Sequence, residues 1–323
     1  MMNWLVVGGA GYIGSHVARS LVNAGQKVFV LDNLFSGYKV RLEGDLQFFL
    51  GDARDSNVVR EIVEKNGIEG VIHLAAHKQA RESQRNPVKY WENNIQSCFG
   101  VINGIQNTSV KHFILSSSCS VYGSAGLVTE DSPRNPVSPY GRTKATSEDI
   151  IQDCCSFLGI NWGILRYFNV VGCDDFDLAH DDSLECVVPV MARKITSNQD
   201  IEVFGKNYDT PDGTALRDYV DVRDLADAHV RIALEMQQNQ RNYLVNVSSG
   251  IPVSVLQIAK SLLEVSGSNS KITFSESKVS DPDRIWGHPS QILLDIGWDA
   301  KFSLSESVQA HWDSMKKSDN IHS

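Results

Sequence analysis

Through the first half of the chain, short apolar runs alternate with stretches whose apolar side chains return every three or four positions. The runs at 3–7, 27–31, 47–50, 70–75, 111–116 and 162–167 read as strands. Their Val, Ile, Leu and Phe content suits a parallel sheet covered on both faces. Between them, 16–24, 58–65, 88–106 and 138–158 carry helical spacing. Gly25 and Gly67 stop the first two helices, and Pro87 and Pro139 stand at the openings of the last two. This alternation predicts right-handed βαβ units and a Rossmann-type, doubly wound parallel α/β sheet. After residue 169 the rhythm breaks. The stretch 173–184 is polar, with five aspartates between 174 and 182, and reads as a solvated loop. Shorter mixed runs then continue to residue 323. We expect a first domain over 1–170, with a return segment near 217–245, and a smaller C-terminal α/β domain over 171–323.

Composition narrows the options. The 323 residues include 30 Lys+Arg and 39 Asp+Glu, a net charge of −9, and 42% are hydrophobic, enough for a sizeable core. Nucleic-acid affinity comes mostly from Lys and Arg neutralising phosphates, so no nucleic-acid partner is expected. No apolar run approaches the roughly 20 residues of a membrane span, and the N-terminus lacks the long apolar core of a signal peptide. A soluble, cytoplasmic protein without a membrane partner is expected. The six cysteines form no C-x-x-C pair, so neither a disulfide framework nor a metal site is expected.

The first strand runs straight into Gly8-Gly9-Ala10-Gly11-Tyr12-Ile13-Gly14 and then a helix. Gly8 permits a tight turn, Gly11 lets a pyrophosphate approach the backbone, and Gly14 lets helix and strand pack closely. The helix N-terminus adds free N–H groups and a positive dipole end. Asp32 ends the second strand, where a carboxylate accepts ribose hydroxyls and repels a 2′-phosphate. The expected cofactor is therefore NAD rather than its 2′-phosphorylated form. Tyr140 and Lys144 stand four apart at the start of a helix and share one face. A phenol with an ordinary pKa near 10 is a poor base at neutral pH. A nearby ammonium and the positive nicotinamide ring favour its phenolate. Ser118 lies just past the fifth strand, placed to bond the substrate oxygen that Tyr140 deprotonates or to relay its proton.

Taken together, VGGAGYIGSH at 7–16, LDNL at 31–34, SSSCSVYG at 116–123, SPYGRTK at 138–144, RYFNVVG at 166–172 and DGTALRDYVDVRDLADAH at 212–229 give the chain its family likeness. It resembles the extended short-chain dehydrogenase/reductases, and within them the branch that epimerises UDP-hexoses at C4. The resemblance implies an NAD-dependent isomerase that interconverts UDP-glucose and UDP-galactose through a transient 4-keto sugar. It implies that Tyr140 is the acid/base, that Lys144 holds the nicotinamide ribose, and that Ser118 assists at O4 with Ser120 as a second hydroxyl. It implies cofactor contacts from Gly8, Gly11, Tyr12, Ile13, Gly14, Asp32, Asn33, Asp52, Ala53, Lys78, Asn94 and Phe168. It implies substrate contacts from Asn169, Phe204, Arg217, Lys278, Asp281 and Ile285. Ile285 falls at the position that gates the sugar 2-substituent, where its bulk favours a hydroxyl over an acetamido group. A homodimer is also implied, with 88–106 and 138–158 pairing across a two-fold axis as a four-helix bundle.

The sequence departs from that pattern in three places. Val7 replaces a common Thr, Cys186 replaces an amide's donor and acceptor, and Lys278 offers a point charge in place of an Arg fork. The alternatives are an epimerase for UDP-GlcNAc or for a UDP-uronate or pentose, a 4,6-dehydratase, or a non-catalytic NAD sensor. A dehydratase needs a further acid and base beside Ser118, where this chain has Cys119 and Ser120. The intact Ser118, Tyr140 and Lys144 set argues against a sensor.

Overall fold

A computed structural model of the chain describes residues 1–42, 44, 46–174, 180–276 and 282–322. The first βαβ unit is β1 (Asn3–Val7), α1 (Tyr12–Asn23) and β2 (Lys27–Asp32). Then come β3 (Leu46–Leu50), α2 (Ser56–Asn66), β4 (Gly70–His73), the short α3 (Ala80–Arg85) and α4 (Pro87–Ile105). Next are β5 (His112–Ser118), β6 (Gly126–Val128), α5 (Pro139–Leu158), β7 (Asn161–Tyr167) and β8 (Asn169–Val171). The remainder comprises α6 (Val187–Thr196), β9 (Ile201–Phe204), β10 (Leu216–Asp221), α7 (Val222–Asn239), β11 (Tyr243–Val247), β12 (Pro252–Ser254) and α8 (Val255–Ser266). It ends with β13 (Ile272–Ser275), β14 (Arg284–Gly287), α9 (Gln291–Asp295) and α10 (Leu304–His322). Among the described residues no helix is long and apolar enough to cross a membrane.

Seven strands form the main sheet in the order β3-β2-β1-β4-β5-β7-β11, and every pairing is parallel. Alternate side chains of each strand serve opposite faces. Val6, Val30 and Ile72 pack with α1 and α7 residues such as Leu21, Leu225 and Met236. Leu5, Leu31 and Val71 pack with Ile62, Val101 and Ile151 of α2, α4 and α5. The strand order reverses between β1 and β4, and the crevice beyond their carboxyl ends is where open α/β sheets bind ligands.

All six expected strands are present, with ends shifted by a few residues; the fourth stops at His73 rather than at 75. The first helix opens at Tyr12 rather than 16, because Gly11 is its N-cap and Gly14 lies inside its first turn. The return to the sheet is made by α7 and β11, 222–247, which supply a seventh strand. β10 instead joins a second sheet ordered β12-β10-β14-β6, with β8 also paired to β10. β9 and β13 form a separate parallel pair. A third apolar cluster, with Met191, Ile195, Val203, Ile258, Leu262 and Trp312, fills this C-terminal part.

Candidate active site

The turn after β1 shows why glycine is needed there. Gly8 has φ +85°, and a Cβ on it would lie 2.6 Å from the Ala75 nitrogen. A Cβ on Gly14 would meet the Gly8 carbonyl and lie 2.8 Å from the Gly9 Cα. The cradle is thus closed by backbone, with the first N–H groups of α1 above it, as a pyrophosphate requires. At the end of β2, Asp32 accepts the Ala10 N–H at 2.9 Å and the Leu34 N–H at 2.8 Å. One donor per oxygen fixes the carboxylate and leaves lone pairs for a diol. Asp52 is gripped by the Arg54 fork at 2.9 and 2.6 Å, which holds its carboxyl down to about 2. These features suit NAD, with the diol at Asp32 and the pyrophosphate at the glycines.

Across the crevice, Ser138 caps α5 by accepting the Gly141 N–H at 3.1 Å, with Pro139 at the first turn. A Cβ on Gly141 would lie 2.6 Å from the Ser120 carbonyl, so glycine lets the helix press against the end of β5. The Ser83 hydroxyl of α3 accepts the Tyr140 N–H at 3.1 Å. This sets the Tyr140 phenol beside Ser118, whose hydroxyl lies 3.2 Å from that of Ser120. Burial pushes the Tyr140 phenol up to about 12; the Ser118 bond and the Lys78 charge pull it back. Lys78 thus adds a cation on the phenol's side of the cleft, beside the Lys144 to which the sequence points. Lys144 donates to the Ser116 carbonyl at 2.8 Å, and burial pushes it down to about 8.

One cleft of about 1770 Å³ joins these parts. Gly8, Gly11, Tyr12, Ile13, Gly14, Asp32, Asn33, Asp52, Ala53, Lys78, Ser118, Ser120, Tyr140, Lys144, Phe168, Asn169, Phe204, Arg217 and Ile285 all line it. The size suits two nucleotides end to end, since a drug-sized ligand needs about 300–1,000 Å³. The Tyr12 hydroxyl itself donates to the Gly172 carbonyl at 2.7 Å. Arg217 is steadied by the Leu216 and Pro282 carbonyls. Ile285 packs with Cys119, Tyr122 and Phe168. Lys278 and Asp281 lie outside the described residues.

Two sequence expectations need correction. Asn94 is not a wall of the cleft: it accepts the His77 N–H at 2.8 Å and donates to the His77 carbonyl and to Thr143 at 3.1 and 3.0 Å. It clamps the loop after β4 to α5, with its polar atoms spent on protein. Of the stretch expected to be a solvated loop, residues 175–179 lie outside the described residues, and Asp181 within it is not solvated. Asp181 is buried and accepts Lys78 Nζ at 3.0 Å, which holds its carboxyl below the usual range. No local signal separates Asp181 from the other aspartates, because its partner is 103 positions away. His16, Cys173 and Asp174 also cluster. Their donors are engaged, since the Asp174 N–H reaches His16 Nε2 at 3.2 Å and Arg19 pairs the Asp174 carboxylate at 2.8 Å.

Comparisons with known proteins agree with this geometry. A family profile described as NAD dependent epimerase/dehydratase family matches residues 4–248. UDP-glucose 4-epimerase of Lactobacillus helveticus is 35% identical, over 96% of this chain and 95% of that protein. A putative UDP-arabinose 4-epimerase of Arabidopsis thaliana is also 35% identical, over 95% of this chain and 75% of that one. Among solved structures, UDP-glucose 4-epimerase from Stenotrophomonas maltophila, with bound NAD and formylated UDP-arabinopyranose, superposes with a TM-score of 0.93. It is 29% identical, over 99% of this chain and 100% of that one.

Proposed function

The chain belongs to the NAD-dependent epimerase/dehydratase family, and from that premise we propose that it inverts C4 of a UDP-hexose, interconverting UDP-glucose and UDP-galactose. It is an isomerase that uses NAD. The observation that carries the reading is the meeting of the glycine cradle with Ser118, Tyr140 and Lys144 in one cleft. Bound NAD supplies the acceptor and donor of the C4 hydride. We assign to Tyr140 the proton of O4, taken in one half-reaction and returned in the other, and to Ser118 the hydrogen bond that orients that oxygen. Lys78 favours the phenolate electrostatically, and Lys144 is assigned to the nicotinamide ribose. Asn169, Arg217 and Phe204 are assigned to the UDP end, whose binding energy retains the ketone while it turns. Ile285, wedged against Cys119 and Phe168, leaves little room for an acetamido group.

The test is product analysis with UDP-glucose, UDP-galactose, their N-acetyl forms, UDP-glucuronate and UDP-arabinose. Interconversion of the first two is expected, with the N-acetyl pair at least about tenfold slower for a misfit of a few methylenes. Tyr140→Phe should lower kcat by about 10²–10⁴-fold, the usual worth of a positioned acid/base. Failure of every UDP-sugar to exchange C4 configuration would overturn the reading, as would an unimpaired Tyr140→Phe enzyme.

We divide the chain into an NAD-binding unit, 1–170 with the return 222–247, and a substrate-binding unit over the rest of 171–323. We also infer a homodimer. Val88, Trp91, Ile95 and Phe99 form one stripe on α4; Trp91 is 38% exposed, and Phe157 at the end of α5 is 89% exposed. Pairing α4 and α5 with their copies across a two-fold axis covers these side chains in a four-helix bundle. Light scattering at micromolar concentration should give twice the chain mass, and Trp91→Glu with Phe99→Glu should halve it. The six cysteines are free, as in a reducing compartment, and we place the enzyme in the cytoplasm.

A further inference from the structure

Tyr140, Lys144 and Glu148 follow one another at four-residue intervals and share a face of α5. Each reaches a different residue at the end of β5. Tyr140 lies beside Ser118, Lys144 donates to the Ser116 carbonyl at 2.8 Å, and Glu148 accepts the Ser117 hydroxyl. The third rung lies behind the cleft and is not among its lining residues. Glu148 is fully buried, and its carboxylate also takes both arms of the Arg166 fork from β7, at 2.9 and 2.6 Å. Arg166 continues to the Tyr122 hydroxyl at 2.9 Å, which donates to Asn246 of β11 at 2.7 Å. The helix is thereby tied through the carboxylate to three neighbouring strands. A buried ion pair adds little net stability relative to apolar packing of the same volume. What it supplies here is a fixed register and a negative charge one helical turn from Lys144.

We propose that Glu148 is a positioning residue for the epimerisation: it locks α5 in register with Ser116–Ser118 and presents a buried carboxylate one helical turn from Lys144. The proposal rests on the assignment of Tyr140, Lys144 and Ser118 as the reacting set. Burial pushes Lys144 toward its neutral form; Cys98 of α4 and then the Glu148 charge oppose this, while His73 of β4 also faces the ammonium and Arg166 and Arg134 both pair with Glu148. Removing that charge while keeping the shape must therefore release the lysine proton at lower pH.

The test compares Glu148→Gln, Glu148→Asp, Ser117→Ala and Lys144→Met holoenzymes, with kcat and KM measured from pH 6 to 10 at equal NAD content. Glu148→Gln should move the alkaline limb of kcat down by about one pH unit, a tenfold loss on that limb, with KM for the UDP-sugar within about twofold. Glu148→Asp should restore the limb. Ser117→Ala leaves the charge in place, so its limb stays while kcat falls about three- to tenfold through loosened register. A soluble Glu148→Gln enzyme with the wild-type limb overturns the proposal. If that variant does not fold, Ser117→Ala with wild-type kcat overturns it. An unimpaired Lys144→Met enzyme overturns instead the assignment on which the proposal rests.

Discussion

Burial and charge pull Tyr140 in opposite directions. Desolvation disfavours the phenolate and raises the phenol to about 12, while Ser118 and Lys78 oppose it. Lys78 is in turn partly neutralised by Asp181 at 3.0 Å. Two opposite shifts follow for the pH profile of kcat at saturating NAD. Lys78→Met removes the stabilising cation, so the Tyr140 pKa rises and the acid limb should move up by about half to one unit. Asp181→Asn frees the ammonium, so the limb should move down by a similar amount; Coulomb energies near 1 kcal/mol are typical of screened charges this close. Equal limbs in both variants would exclude Lys78 from the phenol's environment. Spacing in the sequence exposed Tyr140, Lys144 and Ser118 because the helix places the first two on one face. Asp181 and Glu148 escaped it, since each acts through partners, Lys78 on one side and Ser117 with Arg166 on the other, that only the fold brings close.

Among elements, the parallel sheet was legible because its strands are continuous apolar runs separated by periodic helices. The second sheet was not, since β6, β8 and β12 have three residues each, too few to establish an alternation. Helix approach was likewise invisible at most glycines outside the cradle. Gly100 of α4 faces the Ala53–Arg54 turn after β3, and a Cβ there would lie 2.7 Å from the Arg54 Cα and carbonyl carbon. That turn carries the Asp52–Arg54 clasp in the cofactor half of the cleft. Gly100→Ala must therefore displace either the helix or the turn. Overpacking of this kind costs about 1–3 kcal/mol. We expect a lower unfolding midpoint together with NAD binding weakened about tenfold by calorimetry, while Gly25→Ala, which is strained by its φ of +75° but has nothing within 4 Å of its added Cβ, lowers the midpoint and leaves NAD binding unchanged. Equal NAD affinity in the two variants would show that the turn does not report on the cofactor.

Across the whole molecule, buried imidazoles set the acid side of stability. Burial holds His73 down to about 3 and His229 and His311 to about 4, and it lowers His16 as well. These rings lie in several parts of the fold: β4, α7, α10 and α1. In the unfolded chain each titrates near 6.5. Above that value both states are neutral and the stability is fully present. As pH falls, the unfolded chain takes up protons first, so stability is lost from about 6.5 down to the folded values. At pH 5 each of His73, His229 and His311 contributes a loss of about 2 kcal/mol, at 1.36 kcal/mol per unit. The main opposing group is Asp224, whose carboxyl burial raises to about 6. It binds a proton in the folded state before the unfolded one, and so returns about 1 kcal/mol over the same range. Asp218 is raised in the same direction. The imidazoles outnumber these carboxyls and win. The unfolding free energy from urea titration should therefore drop by about 2–6 kcal/mol between pH 7.5 and 5.0. Replacing His229 by Gln should flatten part of that slope while lowering stability at neutral pH, because the Leu225 carbonyl loses its imidazole donor at 2.9 Å. A slope identical to that of the wild type would show that the His229 ring titrates alike in the folded and unfolded chain, so that its burial does not lower its pKa.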